Sequence, residues 1–110
     1  MKRYCLTLDL QDDPILIADY EAYHKNVWPE IKKSIIDSGI TSMEIYRFDN
    51  RLFMIMETID NFTFERKAAM DASIAKVQEW EALMWKFQKP LKTAKPGEKW
   101  VLMEKIFGLG

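Results

Sequence analysis

The stretch Ile40-Thr41-Ser42-Met43-Glu44-Ile45-Tyr46-Arg47-Phe48-Asp49-Asn50-Arg51-Leu52-Phe53-Met54-Ile55-Met56-Glu57-Thr58 decides the fold. Two runs rich in aromatic, β-branched and long apolar residues flank Asp49-Asn50, a pair suited to a tight turn. The stretch therefore reads as a β-hairpin with arms Ile40 to Phe48 and Leu52 to Thr58. In its second arm Leu52, Met54 and Met56 alternate with Phe53 and Ile55, and side chains alternate across a strand, so both faces are apolar.

Outward from the hairpin, the chain supplies what a hairpin needs to become a domain. Upstream, Leu6, Leu8 and Leu10 alternate with Cys5, Thr7 and Asp9, the period of a strand from Tyr4 to Leu10. Asp12 and Asp13 precede Pro14, a capping residue followed by proline at the first helical position. Ile17, Tyr20 and His24 then recur at helical spacing. Pro29 breaks that helix near Asn26 to Trp28, because a proline in a helix interior loses a hydrogen bond and clashes with the preceding turn. A second helical stretch carries Ile31, Ile35 and Ile36 and stops at Gly39, suited to a left-handed C-terminal position.

Downstream, helical character spans Phe62 to Asp71 and again Ala75 to Gln88, where Val77, Trp80, Met84 and Phe87 form a stripe. Pro90 stops it, and a loop with Pro96-Gly97 leads to a last strand over Lys99 to Phe107. The order is β-α-β-β-α-β in one domain, residues 1–110: an α+β, ferredoxin-like antiparallel sheet with helices on one face. Helices cover one face only, yet Phe53 and Ile55 need cover as much as Leu52 and Met54. In the last strand Val101 and Met103 likewise oppose Trp100 and Leu102. A homodimer packed through its sheets or their edges, of the dimeric α+β barrel type, meets that need; a deep ligand pocket against that face is the other explanation, and the two are compatible.

Composition narrows the chemistry. The chain has 16 Lys and Arg against 17 Asp and Glu, which leaves no basic footprint for nucleic acid. A single Cys forms no internal disulfide, and a single His builds no His-based metal cluster, so no metal is expected. No stretch approaches the ~20 apolar residues of a membrane-spanning helix. Asp9, Asp12 and Asp13 interrupt any secretory apolar region, so the expected location is cytoplasmic, with Cys5 a reduced, semi-buried thiol.

Few residues remain to carry chemistry. His24 exchanges protons near neutrality and shares a helix face with Tyr20, one turn earlier. The competing structural reading is a helix-end imidazole that hydrogen-bonds a carbonyl. Trp80-Glu81 pairs an aromatic ring, which covers the C–H face of a sugar, with a carboxylate that accepts from hydroxyls. Against that reading, Trp80 belongs to the apolar stripe and Glu81 sits at an ordinary solvated position.

The segment Tyr20-Glu21-Ala22-Tyr23-His24-Lys25-Asn26-Val27-Trp28-Pro29-Glu30-Ile31 resembles the Tyr-x-x-x-His-x-x-x-Trp-Pro-Glu motif of the L-rhamnose mutarotase family. The resemblance runs on through Gly39, Glu44-Ile45-Tyr46, Leu52 to Glu57, Val77-Gln78-Glu79-Trp80 and the final Val101 to Phe107. It implies a small dimeric ferredoxin-like isomerase that interconverts the α and β anomers of a 6-deoxy-L-hexose, L-rhamnose or L-fucose, in carbohydrate metabolism without cofactor or metal. It implies a catalytic role for His24 and substrate contacts by Tyr20 and by Trp80. Two positions depart from the family pattern: Glu81 stands where it has a second Trp, and Met43 where it has a tyrosine.

Mutarotation asks for little beyond general acid–base catalysis. A base takes the proton of the anomeric hydroxyl, an acid protonates the ring oxygen, the C1–C2 bond rotates, and the ring recloses. On this reading His24 gives the ring-oxygen proton, Tyr20 orients the sugar, Trp80 stacks on it, and Glu81 hydrogen-bonds a hydroxyl or assists proton removal. The rival classes are a small dimeric ferredoxin-like monooxygenase or haem-degrading protein, and a non-catalytic sugar-binding module.

Overall fold

The alternation of Leu6, Leu8 and Leu10 sets the central strand. In the computed structural model, which describes residues 1–110, it is β1 (Lys2–Leu10), with all three leucines buried. The Asp13 carboxylate starts α1 (Pro14–Lys25) by accepting from the Ile15 and Leu16 amides at 2.8 and 3.3 Å. Such a cap contributes about 1 kcal/mol. Pro29 has no amide proton to continue the ladder, and it occupies the first position of α2 (Pro29–Asp37). The chain turns between the two helices at Asn26 to Trp28.

Gly39, at φ +101°, ends α2 in a conformation that disfavours side chains. β2 (Ile40–Phe48) and β3 (Arg51–Thr58) form the expected hairpin around Asp49-Asn50, with Asp49 left-handed at φ 53°. The turn is tied to the end of β1, since Leu10 N–H donates to Asn50 O at 2.7 Å. Then follow α3 (Phe64–Ala72), α4 (Ala75–Trp85), β4 (Gln88–Lys89) and β5 (Val101–Leu102). The sheet is antiparallel throughout, in the order β2-β3-β1, and β4 and β5 both pair with the far edge of β1. No helix is long and apolar enough to cross a membrane.

Two expectations need correction. The helix expected to reach Gln88 ends at Trp85. Phe87 completes the apolar stripe from the turn beyond it, where its amide donates to Met84 O and its carbonyl accepts from Gln11 N–H. The chain is therefore already entering β4, well before Pro90. The last strand, expected from Lys99 to Phe107, is only Val101–Leu102. Met103 N–H still reaches Cys5 O at 2.8 Å, but residues beyond it find no partner strand within one chain.

Side chains on the helix face make two apolar clusters. One gathers Leu10, Tyr20, Ile31, Leu52, Val77, Trp80, Met84 and Phe87 beneath α1 and α4. The other holds Leu6, Ile40, Met54, Met56 and Phe62. On the opposite face the register aligns Tyr46, Phe53, Thr7 and Val101 in one row, and Glu44, Ile55 and Cys5 in another. Nothing in the single chain covers that face, and Phe48 at its end is 85% exposed.

Candidate active site

His24 lies four positions after Tyr20, so one face of α1 carries both, one turn apart. Their rings lie 4.2 Å apart between centroids. Tyr20 is 3% exposed and belongs to the apolar cluster, whereas His24 sits in the last turn of α1, half-buried. Both line a cleft of about 460 Å³ between α1 and the hairpin, within the size range of small-molecule sites. Ile45 of β2 and Leu52 of β3 supply apolar surface. Glu21 and Lys25 of α1, with Arg47 of β2, supply polar side chains, and Tyr46 borders the cleft from β2 with its side chain on the far face of the sheet. Arg47 Nε donates to the Glu21 carboxylate, which ties α1 to β2 across the cleft.

The His24 ring is fixed from two sides. Nδ1 lies 2.8 Å from the Tyr20 carbonyl oxygen, an atom that can only accept, so Nδ1 carries the proton in the neutral ring. Nε2 is left with a free lone pair. Burial pushes the imidazole below its usual 6.5, and the hydrogen bond to Tyr20 offsets part of that. At neutral pH the ring is therefore an uncharged base at Nε2. The hydrogen bond expected of a merely structural helix-end histidine is present, and it is also what selects the tautomer a catalyst needs.

Trp80 forms the second support. It is 8% exposed, and its ring meets His24 at 5.7 Å, Trp28 at 5.1 Å and Tyr23 at 6.3 Å, all in edge-on geometry. Such contacts are worth about 0.5–1.5 kcal/mol each beyond burial, enough together to immobilise the ring. Trp28, next to the helix break, thus anchors the turn against α4.

Tyr20 is a buried phenol. Burial drives its pKa up to about 12, although the Gln88 side chain beside the hydroxyl pulls the other way. It remains a neutral O–H donor throughout the physiological range.

The structure thus brings Tyr20, His24 and Trp80 together, with Tyr20 and His24 on the cleft and Trp80 behind His24. Glu81 is not among the cleft residues. Its carboxylate meets Gln78 Nε2 at 3.5 Å, and its carbonyl accepts from Lys99 Nζ at 3.1 Å. Met43 pairs with Met56 on β3 and packs into the second apolar cluster, also away from the cleft. Sequence reasoning missed Arg47, Glu21, Lys25 and Ile45 as cleft residues. Glu21 and Lys25 carry a weak signal as an i, i+4 pair flanking the Tyr20 and His24 positions. Arg47 carries none, because a charged residue near a strand end is ordinary. No three His, Cys, Asp or Glu side chains converge to hold a metal ion.

Comparisons with known proteins converge on one family. The L-rhamnose mutarotase family model matches residues 3–109. An L-fucose mutarotase of Xanthomonas campestris pv. campestris is 47% identical over 99% of this chain and 89% of its own length. A UPF0734 protein of Dictyostelium discoideum is 34% identical over 98% of this chain and 90% of its own. Among solved structures, an L-rhamnose mutarotase from Formosa agariphila superposes with a TM-score of 0.72 at 18% identity, covering 100% of both chains. The tetracenomycin F2 cyclase of Streptomyces glaucescens superposes with a TM-score of 0.61 at 15% identity, again over 100% of both, and shares the fold alone.

Proposed function

The chain belongs to the L-rhamnose mutarotase family and is an isomerase that interconverts sugar anomers; from that premise we propose that His24 is its proton shuttle and L-fucose its preferred sugar. The observation that carries the assignment of His24 is its Nδ1 bond to the Tyr20 carbonyl, which leaves Nε2 free as a base beside the cleft. The 47% identity to an L-fucose mutarotase supports the choice of sugar.

The chemistry balances with one imidazole. Nε2 takes the proton from the anomeric hydroxyl as the bond from C1 to the ring oxygen breaks, and the resulting imidazolium gives its proton to that ring oxygen. Both oxygens are bonded to C1, so one nitrogen serves both. Rotation about C1–C2 presents the other face of the aldehyde. The ring oxygen then adds to C1, losing its proton to Nε2, which returns one to the carbonyl oxygen. Tyr20 donates its O–H to the sugar and orients it. Trp80 acts by holding His24, and Glu81, outside the cleft, has no part in the proton transfers. Ile45 and Leu52 match the methyl group of a 6-deoxy sugar, and Glu21, Lys25 and Arg47 match its hydroxyls.

In the same reading the working particle is a homodimer packed through the uncovered sheet faces, supported by the exposure of Tyr46 and Phe48 beside Phe53 and Ile55. One domain, residues 1–110, carries the activity, and its place is the cytoplasm, in keeping with its membership of the mutarotase family. Neither a haem-linked enzyme nor a sugar-binding module is favoured by the relatives found. The test is NMR saturation transfer between the α and β anomeric protons of L-fucose and of L-rhamnose, with and without protein. Faster exchange of L-fucose than of L-rhamnose is the expected result. Acceleration of neither sugar refutes the reading.

A further inference from the structure

Strand register turns Arg47 into the cleft. It pairs with Leu52, a buried member of the helix-side cluster, so its side chain leaves the sheet on the helix face. Its guanidinium is held at two points. Nε donates to Glu21 Oε1, and Nη1 donates to the Asp49 carbonyl at 2.7 Å. Nη2 has no hydrogen-bond partner, and neither does Glu21 Oε2. Arg51 shows the closed form of such a pair, because its Nε and Nη2 both donate to Asp9, at 2.5 and 3.2 Å. The fork between Arg47 and Glu21 is made on one leg only. An exposed ion pair contributes little to stability, and these two side chains are 36% and 47% exposed. Folding alone gives no reason to bridge the cleft with a half-made fork.

The open leg sets a donor beside an acceptor. Nη2 and Oε2 each stand two bonds from the atoms already paired, and both residues line the cleft that holds Tyr20 and His24. A sugar hydroxyl is at once donor and acceptor, so a single hydroxyl completes the fork by accepting from Nη2 and donating to Oε2. Its place on the ring follows from the two walls. His24 meets the oxygens on C1 from α1, and Arg47 reaches in from β2 opposite. In a pyranose the carbon across the ring from C1 is C4. L-Fucose carries an axial hydroxyl there and L-rhamnose an equatorial one. We propose that the Glu21–Arg47 pair is a hydroxyl clamp that selects the sugar by closing its open leg on the axial C4 hydroxyl of L-fucose. The clamp rests on the mutarotase reading of the cleft and on the choice of L-fucose made above.

The experiment compares anomeric exchange of L-fucose, 4-deoxy-L-fucose and L-rhamnose, each below saturation, in the wild type, Arg47→Met and Glu21→Gln. The wild type is expected to exchange 4-deoxy-L-fucose about tenfold more slowly than L-fucose, the effect of hydrogen bonds at a partly exposed site. Arg47→Met is expected to lose about tenfold on L-fucose and to treat L-fucose and its 4-deoxy analogue alike. Glu21→Gln puts an amide where the clamp needs an acceptor, and is expected to do the same. L-Rhamnose is expected to change less than twofold in either variant, whereas a merely structural role lowers all three sugars together. Both variants are expected to keep the wild-type urea midpoint. Equal wild-type rates on L-fucose and 4-deoxy-L-fucose, a reading that needs no variant, overturn the clamp alone. So does an equal loss on all three sugars in the variants, or no loss on L-fucose. If the wild type accelerates none of the sugars, the mutarotase reading falls first and takes this inference with it.

Discussion

Replacing His24 by asparagine separates the two functions of its ring. An asparagine amide can occupy the place of Nδ1 and still donate to the Tyr20 carbonyl, the bond now made at 2.8 Å. It offers nothing where Nε2 stands. The local backbone contact is thus kept while the proton shuttle is deleted. One positioned acid–base group contributes typically about 10²–10⁴-fold, so His24→Asn is expected to lose that much of the acceleration, or about 2.7–5.4 kcal/mol of barrier. Stability changes less. The ring contacts to Tyr20 and Trp80, at 4.2 and 5.7 Å, disappear, at about 0.5–1.5 kcal/mol each. Saturation transfer of L-fucose reads the first quantity and urea denaturation the second. A folded His24→Asn protein that exchanges anomers as fast as the wild type would falsify the assignment of Nε2.

Three further outcomes follow from the same geometry. In the proposed mechanism the working base is neutral His24, whose pKa burial holds below 6.5; enzyme-catalysed exchange should be flat above pH 6.5 and fall on the acid side, at a midpoint lower than that of free histidine. The unfolded chain protonates first, so the contribution of this group to folding is complete above pH 6.5 and is lost as pH drops through the folded value, which urea midpoints at several pH values will show. Gly39→Ala places a Cβ 2.8 Å from Ile59 Cδ1 at a φ of +101°, and should lower the urea midpoint by the equivalent of about 1–3 kcal/mol, an unchanged midpoint contradicting the strain. Ile55→Glu puts a charge on the uncovered sheet face without touching the helix-side core; light scattering is expected to report a dimer for the wild type and a single 13.0 kDa chain for the variant. A monomeric wild type would remove the argument from the apolar face.

Much of the fold is local, and local signals are what a sequence carries openly. Alternation in Tyr4 to Leu10 and in the hairpin, the Asp13-Pro14 start, the Pro29 interruption and the Gly39 stop each act within a few residues, and each appears where the pattern puts it. The misjudged elements are those whose limits depend on distant partners. Whether α4 ends at Trp85 or Gln88 depends on β1 being there to pair with Gln88. Whether the last strand continues past Leu102 depends on a neighbour that one chain does not supply.

The same division runs through the site. The sequence by itself determined that His24 and Tyr20 share a face, because four residues make about one turn of helix, and that one histidine must carry any proton chemistry near neutrality. Only the tertiary structure decided which nitrogen is free, because the tautomer is set by where Nδ1 finds the Tyr20 carbonyl, and that the neutral form prevails, because that follows from burial.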